Sequence, residues 1–161
     1  MKFHFCLIIG ISLAAGCGHD RKHNGHGDGH DHDGDHGHAH DPKHGGQLEV
    51  IGKEACHLEF VRDEDNASRM KIYVLQFHPK FKYLKLATSS IRVVATVDGA
   101  EKVLDFKALV NPSLQNNSTH SSEYEVGADW LADWKVFDAR VEDLPVGGKE
   151  FDKAFKFGKT D

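Results

Sequence analysis

From residue 47 onward, apolar residues recur in short runs broken by turn-forming residues. Gln47–Ile51 stops at Gly52, Ala55–Arg62 stops in the polar stretch Asp63–Ser68, and Met70–Phe77 stops at His78-Pro79. Ser90–Val97 ends at Asp98-Gly99, Lys102–Leu109 leads to Asn111-Pro112, and Ser122–Val126 precedes Gly127. Lys135–Leu144 and Lys149–Phe157 flank the turn Pro145–Gly148. Runs of this length, rich in Val, Ile, Phe and Tyr, predict strands. Asp98-Gly99 and Gly147-Gly148 are strong hairpin signals. Within the runs polarity alternates with period two, as on a strand with one buried face. Cys56, Leu58 and Phe60 therefore share one face, and His57, Glu59 and Val61 the other. Ile91, Val93, Ala95 and Val97 form a second apolar set. Only Ala128–Trp134 reads as helical, for one or two turns, with Trp130 and Trp134 placed to plug one end of the fold.

Many short strands without β-α-β alternation predict an all-β chain. The expected architecture is an immunoglobulin-like antiparallel β-sandwich of seven or eight short strands over residues 44–158, with a short tail at 159–161. In such a fold Cys56 is a small core hydrophobe. The His57–Glu59 pair on the opposite face reads as surface decoration. "KFKYLK", Lys80–Lys85, alternates basic and aromatic residues, and an edge strand with outward lysines explains it better than a nucleic-acid contact.

The N-terminal part is built differently. After Lys2, the apolar run Phe5–Ala15 is too short to span a bilayer, which takes about 20 residues. It has the length of a secretory signal core. Its ending, "LAAGC" (Leu13–Cys17), resembles the lipobox of bacterial lipoproteins. The resemblance implies a signal peptide over residues 1–16 and lipid attachment at Cys17. Two or more acyl chains anchor a protein stably to a membrane. The expected location is the bacterial cell envelope, facing the periplasm, with the outer membrane favoured by Gly18 after the cysteine. Cys6 leaves with the signal and Cys17 carries lipid, so Cys56 is the one remaining thiol and no internal disulfide is expected.

Between Cys17 and the strands lies a segment made largely of His, Asp and Gly. From Gly18 to Gly46 it carries nine histidines (19, 23, 26, 30, 32, 36, 38, 40 and 44) and six aspartates (20, 28, 31, 33, 35 and 41). It holds too little apolar area to offset about 1 to 2 kcal/mol of backbone entropy per residue, so residues 17–43 are expected to be a disordered tether. A flexible chain of about 27 residues reaches roughly 29 Å. A tether alone has no need of histidine. Neutral imidazole ligates Zn, Cu and Ni, and His-rich tracts read as metal-binding. His30 and His32, and likewise His36, His38 and His40, are spaced by two and fall on one side of an extended chain. The expected ligands are His26, His30, His32, His36, His38, His40, His44 and His57, in overlapping and exchangeable sites for a labile divalent transition metal. The alternative is a non-catalytic envelope protein-interaction module, with the tract a plain hydrophilic spacer or a pH-responsive stalk.

No catalytic constellation is present: there is no Gly-x-Ser-x-Gly, no phosphate-binding Gly-rich loop and no His-Glu-x-x-His. Catalytic residues are therefore expected to be absent. The formal net charge of −5 becomes −6 once Lys2 leaves with the signal, which weakly favours cations and disfavours nucleic acid as partners.

"PKHGGQLEVIG", followed by "CHLEFVRDEDNASRMKIYVL", resembles a domain of small lipoproteins from planctomycete-like bacteria. It is also similar to the front end of periplasmic adaptor subunits of heavy-metal efflux pumps. The matching residues are His44-Gly45-Gly46, His57-Leu58-Glu59 and Ile72-Tyr73-Val74-Leu75. The resemblance covers Pro42–Leu75 well and the later strands loosely. It implies a small all-β domain, an association with metal handling, and an efflux or other envelope protein as partner. The coiled-coil and membrane-fusion parts of such adaptors are missing from this sequence. If the first two strands pair as an antiparallel hairpin, His44 can share a site with His57 or Glu59. Otherwise Gly45-Gly46 simply begin the first strand, with His44 the last residue of the tract.

Overall fold

The computed structural model describes residues 39–158. The signal segment, Cys17, the tract as far as His38 and the tail at 159–161 lie outside the described residues, and with them His26, His30, His32 and His36.

The described chain is all-β and antiparallel. Its strands are β1 (Gln47–Ile51), β2 (Cys56–Arg62), β3 (Arg69–Gln76), β4 (Lys82–Tyr83), β5 (Ser90–Val97), β6 (Ala100–Ala108), β7 (Glu123–Gly127), β8 (Phe137–Val146) and β9 (Lys149–Phe157). Each predicted run becomes a strand, with ends shifted by a residue or two. The two-residue β4 comes from the Lys80–Lys85 stretch and pairs with β3, its lysines exposed. The helical prediction shrinks to one 3-10 turn, Asp129–Ala132, with Leu131 buried beneath it.

Hydrogen bonding runs in the order β1-β2-β3-β7-β6-β5-β8-β9. The two layers expected of a sandwich are thus two halves of one continuous sheet, because β7 bonds to β3 on one side and β6 on the other. The sheet curls until its ends meet, giving a nearly closed barrel. Gln47 of β1 spans the meeting line. Its Nε2 donates to the Lys156 carbonyl of β9 at 2.7 Å, and its Oε1 accepts from the Gly158 N–H at 2.8 Å. The hairpin turns are as the dipeptides predict. Asp98 and Gly99 both take positive φ (51° and 73°), as do Gly147 and Gly148 (58° and 78°), the backbone that a twisted two-residue turn requires.

The core fills the interior from both halves. Cys56, Leu58 and Phe60 of β2 meet Leu104 and Phe106 of β6 and Ala139 and Val141 of β8 in one apolar cluster. The Phe60 ring lies 6.2 Å from Phe106 and 4.9 Å from Phe155. Ile91, Val93, Ala95 and Val97 join the same cluster. Burial pushes the Cys56 thiol up to about 12. Arg62 closes one end of the barrel. Its guanidinium donates to the Leu131 carbonyl at 2.6 Å and to that of Trp134, and lies 5.2 Å from the Phe157 ring.

β2 departs from the simple alternation. His57 and Glu59 are as buried as the core face, at 1 % and 0 % exposed. The expectation of surface decoration is overturned. The chain from His40 to Gly46 returns over the outer face of β2 and covers it, so β2 is enclosed on both sides.

Candidate metal site

The covering segment is held by a clasp around Glu59. The carboxylate accepts the backbone N–H groups of Lys43 (3.0 Å), His44 (2.6 Å) and Gly46 (3.1 Å), and the Nδ1 of His44 (2.8 Å). An ionised carboxylate can only accept, so Nδ1 carries the imidazole proton, and Nε2 lies 3.0 Å from the Tyr83 hydroxyl. The His44 ring stacks on Tyr73, with centroids 3.6 Å apart and planes 10° apart. Burial acts to raise the Glu59 pKa. The bonds from the His44 ring and from the Gly46, His44 and Lys43 backbone outweigh it and hold the carboxyl below its ordinary value.

The two glycines of His44-Gly45-Gly46 have separate reasons. Gly45 takes φ +75° to turn the chain toward β1. A Cβ on Gly46 would fall on the Phe60 carbonyl and 2.7 Å from Val61 Cγ2. Only glycine lets the backbone lie this close to β2. The antiparallel pairing of β1 with β2 is present, and of the two partners considered for His44 it reaches Glu59.

A few residues upstream, a second cluster forms at one end of the sheet. His40 stacks on Phe77 with centroids 4.1 Å apart and planes 5° apart. Its ring lies 5.1 Å from His57, edge to face, and 5.0 Å from His78. Glu54, in the β1–β2 turn, places its carboxylate 3.7 Å from His78 Nε2. His40, Glu54 and His78 each offer a ligand atom, all within 4.8 Å of one another, a group that could hold a metal ion. The Glu54 and His78 side chains are 34 % and 53 % exposed, which leaves them room to turn toward an ion.

Topology explains the convergence. In an antiparallel run of three strands, the β1–β2 turn and the end of β3 fall at the same edge, so Glu54, His57 and His78 meet there. The clasp at Glu59 then brings His40 alongside. Among the described residues, neither ring nitrogen of His57 nor Nε2 of His40 has a hydrogen-bond partner, although these atoms are buried. Burial lowers the His57 pKa. The charge of His40 adds to the effect, Glu54 opposes it and His78 adds to it, with a net fall below the ordinary value. The direction of the shift favours the neutral imidazole.

Of the expected ligands, His40 and His57 come together here. His44 is taken up by the clasp, and His26, His30, His32, His36 and His38 are outside the described residues. Glu54 and His78 were not expected from the sequence; strand pairing alone could have signalled them. No protein-family model matches this sequence, and comparisons with curated proteins and with solved structures likewise return no match.

Proposed function

We propose that this protein is a lipid-anchored envelope protein that binds divalent transition metal, as a buffer or chaperone linked to metal homeostasis or efflux. In this reading Cys17 carries the anchor and residues 18–38 form a tether. His26, His30, His32, His36 and His38 load metal weakly and exchangeably. The folded domain takes metal through His40, Glu54 and His78. The observation that carries the reading is the position of that group. It stands where the His-rich tract meets the barrel, and one of its ligands, His40, is itself a tract residue. Metal held by the tract and metal held by the domain are then neighbours along the chain, which suits transfer between them.

Imidazole nitrogen with carboxylate oxygen suits Zn, Cu or Ni, with Cu(II) first on intrinsic affinity. Ligation needs neutral imidazole, so affinity is expected to weaken below about pH 6. Calorimetric titration with Zn(II), Cu(II) and Ni(II) at pH 7.5 tests the proposal. It compares the full chain in detergent with one whose histidines 19–38 are serine. Binding by both, with fewer ions held by the serine chain, is expected. If neither binds tighter than about 100 μM, equivalent to about −5.5 kcal/mol, the proposal fails and the tract is a spacer.

A further inference from the structure

His57 is the least explained polar side chain of the barrel. A neutral imidazole carries one donor and one acceptor, and both of its ring nitrogens are buried without a partner at 1 % exposure. Leaving a buried polar atom unsatisfied is costly, because its hydration is lost and no protein bond replaces it. A residue kept only for packing would be better as Phe or Leu here, since its ring already sits 4.8 Å from Phe77 in an edge contact that any aromatic could make. Its surroundings are not those of a structural histidine. They hold His40, whose ring centroid lies 5.1 Å from that of His57 and 5.0 Å from that of His78, and which belongs to the group with Glu54 and His78 whose ligand atoms lie within 4.8 Å of one another.

We propose that His57 is a fourth ligand, which with His40, His78 and Glu54 makes a closed site of three imidazoles and one carboxylate. This rests on the metal-binding reading above and completes its domain-held site with a fourth ligand. The four residues come from four places in the chain: the tract end, the β1–β2 turn, β2 and the end of β3. Such a set exists only in the folded protein, so metal binding and folding are coupled. Three nitrogens and one oxygen with no open position match four-coordinate Zn(II), and Co(II) in its place. His57 is rigid and buried, while Glu54 and His78 are partly exposed. The ion is therefore expected to draw the exposed pair inward toward a fixed His40–His57 wall.

The test uses the full chain in detergent with histidines 19, 23, 26, 30, 32, 36 and 38 changed to serine, so that the tract is silent. Titrated with Co(II), it is expected to take one ion per chain, with the intense visible absorption of tetrahedral cobalt, displaced by Zn(II). His57→Phe is expected to weaken binding by at least about 100-fold, the upper end of what losing a mere supporting residue costs, and to abolish the intense band. Its melting temperature without metal should be unchanged or higher, because an unsatisfied polar side chain has been removed. His57→Cys should bind again, with a new near-ultraviolet thiolate-to-cobalt band.

Unchanged affinity and spectrum in His57→Phe, or cobalt bound to His57→Cys without the thiolate band, would overturn the assignment. So would a metal-free His57→Phe chain that melts lower, which would mark a packing role. If the serine chain with His57 intact binds neither metal while the unaltered chain does, the folded site fails and the tract alone carries the proposed function.

Discussion

Replacing Glu59 by glutamine changes one atom of a buried side chain and should release much of what holds residues 43–46 on β2. The carboxylate accepts four N–H groups. A carboxamide oxygen in place of Oε1 can keep the bonds from the His44 and Gly46 backbone. Each then falls from a charge-assisted bond, worth about 1.5 to 3 kcal/mol, to a neutral one near 1 kcal/mol. The amide nitrogen in place of Oε2 now faces the Lys43 N–H and His44 Nδ1. His44 can answer by moving its proton to Nε2 and donating to Tyr83, but the Lys43 N–H is left facing another donor. Lys43 is exposed, so water recovers part of that bond, and about 1 kcal/mol remains lost. The sum is about 3 kcal/mol, or a fall in melting temperature of about 12 °C for a domain of this size.

Urea unfolding followed by the fluorescence of Trp130 and Trp134, with a chelator present, measures it. The pH dependence carries a second signature. The Glu59 pKa is lower folded than unfolded, so its stabilisation is complete above the unfolded value near 4.3 and is lost as pH falls through the folded one. Glutamine has no such dependence. The gap between wild type and Glu59→Gln should therefore be constant above about pH 5 and narrow progressively as pH falls below about 4. A loss under about 1 kcal/mol at pH 7.5, or a gap that stays constant from pH 3 to pH 8, would refute the clasp.

Two further outcomes follow from the same region and its core. Gly46→Ala should cost about 1 to 3 kcal/mol in the same urea assay, because the added methyl meets the Phe60 carbonyl and Val61 rather than a movable side-chain tip; Gly127→Ala, with nothing within 4 Å of its Cβ and no left-handed backbone, controls for the steric part. Cys56 should resist a thiol reagent at pH 8 in the native protein and react once urea unfolds it, since burial holds its pKa near 12; prompt labelling of the folded chain would show that β2 opens readily.

The strands were legible because local pattern decides them. Alternation in Ile91–Val97 and in Cys56–Phe60 marks a face that is buried by whatever the sheet packs on. The fate of the other face of β2 was not legible in the same way. It depends on a segment too polar to read as structural, and whose hold on β2 comes from one carboxylate meeting backbone N–H groups that every sequence possesses. His57 and Glu59 therefore looked like surface residues, and only the return of His40–Gly46 makes them interior. The motif His44-Gly45-Gly46 was visible, and its reason needed the geometry. Glu54 and His78 lay outside the expected ligand set because each is a lone residue at the end of a strand. Their relation appears only when β1, β2 and β3 are set side by side. The continuity of the sheet through β7 is likewise a matter of strand order, which alternation does not encode.

Gln47 has a consequence for how copies of this protein meet one another. An open strand edge invites pairing with the same edge of a neighbouring copy. The amide of Gln47 occupies the Lys156 carbonyl of β9 and the Gly158 N–H just beyond it. It acts as a rung of the missing ladder, made by a side chain in place of a strand. One glutamine thus blunts an edge that would otherwise be open, and Gln47→Ala is expected to associate at lower protein concentration than the unaltered chain, as light scattering would read.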